Sequence, residues 1–310
     1  MSRLRVGVVG VGALGQHHAR VYAGLPEAEL VGVVDRNAER AAAAAEKHGA
    51  RVFATVEALA AEVDAVSVAV PTIDHHRISR PLLAAGKGVL VEKPMTVTLD
   101  EADDLIAAAS GSGAVLQVGH VERFNPAVDV VRSIAQKPRF IEVHRLGSFS
   151  PRSLDIDVVL DLMIHDLDIV LAMDGSPAVQ VDAVGVPVLT GKVDIANARL
   201  RFASGLIANV TASRVSAEKV RKFRVFSERL YVSADFAARE TQVYRLVPGA
   251  GGRPEISVDR TAAPDVEPLQ RQLSAFVQAV RERSVPLVSG PDGRRALALA
   301  HEILARMSPA

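Results

Sequence analysis

Val6-Gly7-Val8-Val9-Gly10-Val11-Gly12-Ala13-Leu14-Gly15 sets the architecture of this chain. An apolar strand over 4–9 runs into three glycines spaced G-x-G-x-x-G, and a helical stretch near 14–24 follows. Gly10 permits the tight turn, Gly12 lets a pyrophosphate approach the backbone, and Gly15 lets helix and strand close on each other. The start of the helix then offers backbone N–H groups to phosphate. Asp35 closes the next strand, 20 residues after Gly15. A carboxylate at that position accepts hydrogen bonds from adenosine ribose hydroxyls. The competing reading, a structural βα turn with a capping aspartate, does not require strand, turn, helix, strand and acid in this order.

Working outward, strand-like runs at 30–34, 51–53, 65–69, 88–91 and 115–118 alternate with helical stretches near 38–48, 56–62, 75–85 and 99–109. Repeated βα units with nearly continuous apolar strands predict a parallel sheet buried on both faces. Six strands give a Rossmann dinucleotide-binding domain over 1–120, in the order 3-2-1-4-5-6. After about residue 120 the rhythm changes. A helix near 125–136, a strand at 139–146, a loop at 147–153 and a long apolar helix at 157–173 lead into strands at 196–202, 206–212, 220–226 and 230–234. Strands that follow one another without helices predict an open, mostly antiparallel sheet in an α+β domain over 121–310. The turn at 248–252 reads as a flexible connection. Helices at 268–282 and 292–307 end the chain, free to pack back on the first domain.

Composition narrows the function classes. At 310 residues the chain suits two domains, and 49% hydrophobic residues are enough for ordinary cores. Lys plus Arg equals Asp plus Glu at 36 each, so no bulk charge favours nucleic acid or an anionic membrane. Cysteine is absent, which excludes disulfides, thiolate metal sites and a cysteine nucleophile. No apolar stretch approaches the roughly 20 residues that span a bilayer, and no signal-peptide h-region precedes the first strand. A cytoplasmic protein without membrane insertion is expected.

Lys93, in Glu92-Lys93-Pro94, comes directly after the 88–91 run. Open α/β sheets bind ligands beyond the carboxyl ends of their strands, so an ammonium there sits beside the cofactor. Asp157, Asp161 and His165 recur every four residues, and Asp168 follows three later. On one α-helix all four lie along a stripe, flanked by Val158, Val159, Leu160, Leu162, Ile164, Leu167 and Ile169. Buried carboxylates without partners are costly. Asp161 and His165 are therefore read as facing a wet cleft, Asp157 as a helix cap and Asp168 as an exposed residue. Without a third ligand cluster, no metal is expected. The chemistry read from these groups is oxidation of an alcohol. His165 takes the hydroxyl proton, Asp161 orients the imidazole, and Lys93 donates to the developing alkoxide.

The glycine fingerprint, Pro71-Thr72-Ile73-Asp74-His75, Glu92-Lys93-Pro94 and Asp161-Leu162-Met163-Ile164-His165 together resemble the Gfo/Idh/MocA oxidoreductase family across essentially the whole chain. The resemblance implies that Lys93, Asp161 and His165 hold the positions of the family's catalytic lysine, aspartate and histidine. Cofactor contacts are then expected from Gly10, Gly12, Ala13, Leu14, Gly15, Asp35, Arg36, Pro71, Thr72, His75, Glu92 and Lys93. It also implies a homo-oligomer formed through the second domain's sheet. Met163 departs from the pattern, since many members carry glycine there. A narrower likeness, in Gly119–Pro126, Asp161–Asp166 and Thr211–Val215, is to members that act on the 3-hydroxyl of a UDP-N-acetyl-hexosamine on a route to amino-sugar lipid A.

NAD is the expected cofactor because Asp35 repels a 2′-phosphate, while Arg36 beside it leaves NADP open. Arg123 and Asn125, just after strand 6, are candidates for substrate contact. Arg214 opens a basic cluster with Lys219, Arg221, Lys222 and Arg224 that reads either as a solvated face or subunit interface, or as a diphosphate contact. His17 and His18 read as surface or packing residues, and His75 either lies near the cofactor or caps its helix. Three other readings compete with a nucleotide-sugar dehydrogenase: a dehydrogenase of a free polyol, inositol or sugar, an NAD-dependent glycosidase, and a non-enzymatic dinucleotide-binding regulator. A regulator has no need of the Lys, Asp and His together.

Overall fold

A computed structural model describes residues 2–149, 156–249 and 253–307. Residues 150–153 of the expected loop and 250–252 of the expected turn lie outside the described residues. The chain forms two compact units, 1–121 with 267–294 and 122–266 with 295–310.

The first unit alternates strand and helix: β1 (Leu4–Val9), α1 (Gly15–Gly24), β2 (Ala28–Val34), α2 (Ala38–His48), β3 (Arg51–Val52), α3 (Val56–Glu62), β4 (Ala65–Val68), α4 (His75–Ala84), β5 (Gly88–Glu92), α5 (Leu99–Ser112) and β6 (Leu116–Gly119). All pairings between named strands are parallel and the order is β3-β2-β1-β4-β5-β6, as the repeated βα pattern predicts. The order reverses between β1 and β4, so the loops after these two strands diverge and leave a crevice at the sheet's carboxyl edge. The residues of β4 and β5 are buried throughout, consistent with a sheet covered on both faces.

The local start signals work as written. Asn37 caps α2 by accepting from Arg40 N–H, Gly49 ends it in the left-handed region, and Thr98 with Glu101 forms a capping box on α5. Helix α8 (Pro268–Glu282) belongs to this unit: Leu273, Phe276 and Val277 share one core with Val6, Tyr22 and Val33.

The second unit holds α6 (Pro126–Ile134), β7 (Phe140–Leu146), α7 (Ile164–Asp174), β8 (Ala178–Val186), β9 (Ile195–Phe202), β10 (Ile207–Ser213), β11 (Val220–Ser227), β12 (Leu230–Asp235), β13 (Glu240–Pro248) and β14 (Pro254–Ala262). Its eight strands run β14-β13-β12-β11-β7-β10-β9-β8. Every pair is antiparallel except β7 with β10, because the chain leaves β7 through α7 and returns beside it only at the third strand that follows. One face carries the core, where Ile141, Val143, Val210, Phe223 and Val225 meet Val128, Leu167 and Val170. The last helix, α9 (Gly290–Arg306), adds Ala296, Leu299, Ala300 and Ile303 to that core. No described helix is long and apolar enough to cross a membrane.

Candidate active site

The glycine loop has the shape its residues require. Gly10 sits at φ +83°, and a Cβ there would lie 2.7 Å from the Ala69 carbonyl oxygen. A Cβ on Gly15 would fall 1.7 Å from the Gly10 oxygen. At Gly12 the nearest neighbour of a Cβ would be Arg40 Nη1 at 3.4 Å, so that position is open above the backbone. Helices α2, α3 and α5 are each capped by a side chain, whereas Leu14, which precedes α1, supplies no side-chain cap. Ala13 and Leu14 are exposed beside that start. Room above Gly12 and a helix start without a side-chain cap fit a bound pyrophosphate.

Asp35 has a second task that spacing did not reveal. One oxygen accepts from Val11 N–H at 2.8 Å and the other from Asn37 N–H at 2.8 Å. The carboxylate therefore clasps the glycine loop to the end of β2. Arg36 is exposed and paired with Asp74 at 2.7 Å, and Arg77 donates to the other Asp74 oxygen at 2.8 Å. These two guanidinium groups, Arg77 foremost, hold the Asp74 carboxyl below its ordinary value. Arg36 is thus engaged by an acid, and Asp35 keeps a second carboxylate at the same strand end. Arg40 Nη1 also stands 3.7 Å from Asp35, so three guanidinium groups face the two acids at this edge.

Pro71, Thr72 and His75 follow β4, and Glu92 and Lys93 end β5, so all the expected cofactor residues gather at one edge of this sheet. His75 is buried, with Nδ1 2.9 Å from the Pro94 oxygen and Nε2 2.9 Å from the Val70 oxygen. It ties the loop after β4 to the loop that carries Lys93. Burial pushes its imidazole below the ordinary value, and the two carbonyls only partly offset this.

Glu92 lies beneath Lys93, with Oε1 3.1 Å from His18 Nε2. Burial alone would raise its carboxyl, but His18 and Lys93 hold it below the usual range. A Cβ on Gly119 would lie 2.5 Å from Glu92 Oε1, so glycine at the end of β6 makes room for this carboxylate. His18 is accordingly a buried partner of Glu92, not a surface residue. Lys93 itself is half-buried.

In the second unit the expected uniform α-helix over 157–173 is not what forms. Val159–Met163 make a π-helical turn, and α7 starts at Ile164. A π turn closes i→i+5 bonds, so the four-residue spacing no longer stacks side chains as in an α-helix, and such turns occur frequently at functional sites. Asp161 lies in the wide turn and His165 in the first turn of α7, and both are partly accessible.

The outer members of the stripe depart from expectation. Asp157 does not cap the helix with its side chain; Oδ1 accepts from Val193 N–H at 2.8 Å. Asp168 is buried, not exposed, and is gripped by Arg123 through Nε at 2.8 Å and Nη2 at 2.6 Å. Arg123 is 4% exposed and committed to this pair, and Asn125 caps α6 while donating to the Phe236 oxygen. Their reading as substrate contacts gives way to structural tasks, because their polar atoms face protein partners. Arg214 is likewise buried. Its Nε donates to Asp194, Nη1 to the Ile156 oxygen and Nη2 to Thr190.

Asp194 also accepts from the N–H groups of Val188, Leu189 and Thr190 at 2.6–2.8 Å. Burial opposes its charge, but these donors and Arg214 hold the carboxyl far below the usual range. Arg214 therefore anchors the start of the π turn and is not a ready fork for a diphosphate. In the rest of the basic cluster, Lys222 pairs with Asp235 and Arg224 with Glu142, Arg221 donates to the Leu146 oxygen, and Lys219 is exposed. Lys222 and Arg224 lie on the partly solvated face of the sheet, whereas Arg221 is opposite Arg145 on the core-facing side.

Sequence reasoning missed the pair formed by Arg145 and Asp166. Arg145 donates to Asp166 through Nε at 2.6 Å and Nη2 at 2.7 Å, and to Glu122 through Nη1 at 2.8 Å. Burial presses on both members and raises the Asp166 carboxyl, while Asp166 and Glu122 keep Arg145 charged well above its ordinary value. A signal was present. In β7 the inward positions are Ile141, Val143 and Arg145, and an arginine in an apolar phase needs a buried acid.

Comparison with known proteins agrees with this geometry. Residues 4–120 match the model of an oxidoreductase family with an NAD-binding Rossmann fold, and residues 130–232 match a GFO/IDH/MocA C-terminal domain. The chain is 42% identical over 307 residues to a UDP-N-acetylglucosamine 3-dehydrogenase of Acidithiobacillus ferrooxidans, covering 98% of this chain and 97% of the relative. A solved structure of that organism's UDP-N-acetylglucosamine 3-dehydrogenase superposes with a TM-score of 0.94 at 40% identity, covering 99% and 98% of the two chains. An inositol 2-dehydrogenase of Rhizobium meliloti is 28% identical over 320 residues, covering 96% of this chain and 94% of the relative. The chain belongs to the Gfo/Idh/MocA family of NAD-binding oxidoreductases.

Proposed function

We propose that this enzyme oxidises the 3-hydroxyl of a UDP-N-acetyl-hexosamine to a ketone, with NAD as hydride acceptor. The observation that carries the reading is 42% identity over nearly the whole chain to an enzyme named for that sugar nucleotide. Retention of Lys93, Asp161 and His165 supports it. His165 removes the hydroxyl proton, since imidazole is the side chain best matched to proton transfer near neutral pH. Asp161, in the turn before it, sets the orientation of that ring. Lys93 donates to the sugar oxygen and stabilises negative charge as the carbonyl forms. NAD, when bound, accepts the hydride, and Asp35, His75 and the glycine loop supply only its position.

The inositol dehydrogenase likeness favours one second reading, oxidation of a free polyol. Purified protein with NAD and a panel of UDP-sugars, free sugars and inositols separates the two. NADH should form with UDP-N-acetylglucosamine at a kcat/KM at least about 10² above any neutral polyol, because binding energy from the parts of a substrate remote from the reacting carbon is spent on the reaction. Faster turnover of inositol would replace the assignment. A hydrolysed sugar without net NADH would point to the glycosidase alternative.

We also propose that the sheet face away from the core joins copies of this chain. Phe140, Phe226, Tyr231 and Tyr244 form a row across β7, β11, β12 and β13, with neighbouring ring centroids 5.6, 4.7 and 5.0 Å apart. Half-buried aromatics in a continuous row favour a partner surface. Light scattering should give a dimer or larger species that Tyr231→Arg dissociates. A monomeric wild type at working concentration rules the interface out.

A further inference from the structure

Helix α7 carries more buried charge than its fold requires. Asp166 and Asp168 are each 1% exposed, and each meets an arginine fork, Arg145 and Arg123, that is 4% exposed. Two ion pairs on one helical turn are weak devices for stability, since apolar residues of similar volume often pack as well or better. What forks provide is direction, because a bidentate guanidinium–carboxylate pair tolerates little rotation.

The residue between them is informative. In an α-helix each residue turns about 100°, so Asp166 lies about 100° to one side of His165 and Asp168 about 60° to the other. The forks therefore oppose rotation of α7 in both senses about the line along which His165 projects. Such a restraint matters here because the π turn at Val159–Met163 precedes α7 and its wider spiral leaves the helical phase less constrained. The pairs also reach distant parts of the unit: Arg145 stands on β7, and Arg123 lies in the short helix Val121–Phe124.

We infer that the Arg145–Asp166 and Arg123–Asp168 forks hold α7 at the rotation that presents the His165 imidazole to substrate, which makes these four side chains positioning residues of the reaction. The inference rests on the reading of His165 as the proton acceptor.

The test removes a fork without leaving a lone charge. Arg145→Met with Asp166→Leu, which leaves Glu122 facing Arg221, should keep Tm within about 5 °C of wild type. It should lower kcat by about 10- to 100-fold, with the Kd for NADH unchanged. The same double change in a His165→Ala background should cause no further loss in single-turnover rate, because the device acts through that imidazole. Arg145→Lys, which keeps the charge but not the fork, should show the same pattern and serves if the double variant does not fold. A folded fork variant with wild-type kcat overturns the inference, as does an equal loss with and without His165. If His165→Ala itself retains turnover, the assignment of the base falls and takes this inference with it. If His165→Ala loses turnover while the fork variants do not, this inference falls alone.

Discussion

Lys93→Ala lowers kcat by about 10² or more, and His165→Ala does the same, while the Kd for NADH changes by less than about threefold. The expectation follows from what each group does. Neither an ammonium donating to the substrate oxygen nor an imidazole taking its proton is needed for dinucleotide to bind. On the proposed reading, cofactor binding rests on the glycine loop, Asp35 and the loop tied down by His75. The two residues come from separate units, Lys93 at the end of β5 and His165 at the start of α7. If both serve one proton-and-hydride step, their losses are not additive, and the double variant is little slower than the worse single one. Pre-steady-state formation of NADH from each variant measures this. Additive losses would mean that the two groups act in different steps.

Gly15→Ala abolishes tight cofactor binding. The added methyl would fall 1.7 Å from the Gly10 oxygen, and Gly10 cannot retreat, because its own α-carbon backs onto Ala69 at φ +83°. Overpacking against backbone on both sides forces the loop to open. The Kd for NADH should rise by about 10² or more, read by fluorescence titration, with a fall in Tm. Gly12→Ala makes the informative contrast. Its methyl would meet only Arg40 Nη1 at 3.4 Å, the end of a half-exposed side chain. That variant should keep its Tm and still bind NADH more weakly, because the methyl occupies the space a pyrophosphate needs. Wild-type affinity in Gly15→Ala would refute the loop geometry.

The parallel sheet was legible because its signals are local. Apolar runs of strand length, glycine at the turn and capping residues at the helix starts all lie within a few positions of what they control, and strand order followed from the repeated βα unit. The residues of the cofactor loop were legible for the same reason. The second unit was harder. A π turn and an α-turn present the same polar spacing over Asp157–His165, so nothing in the sequence marks the change of phase. Asp168 looked exposed because its partner, Arg123, lies 45 residues away, and Asp166 depends on an arginine 21 residues away. Arg214 looked like a phosphate contact until the loop at 188–194 closed on it. The helical period over 268–282 marks an apolar face but not the core that receives it. In each case the missing information was a partner distant in sequence.

The most direct test of the chemistry uses UDP-N-acetylglucosamine carrying deuterium at C3, incubated with the enzyme and NAD. Hydride transfer from that carbon places the deuterium on the nicotinamide ring of the reduced cofactor and leaves a 3-keto sugar nucleotide. Unlabelled NADH, or deuterium retained in the sugar product, would contradict it.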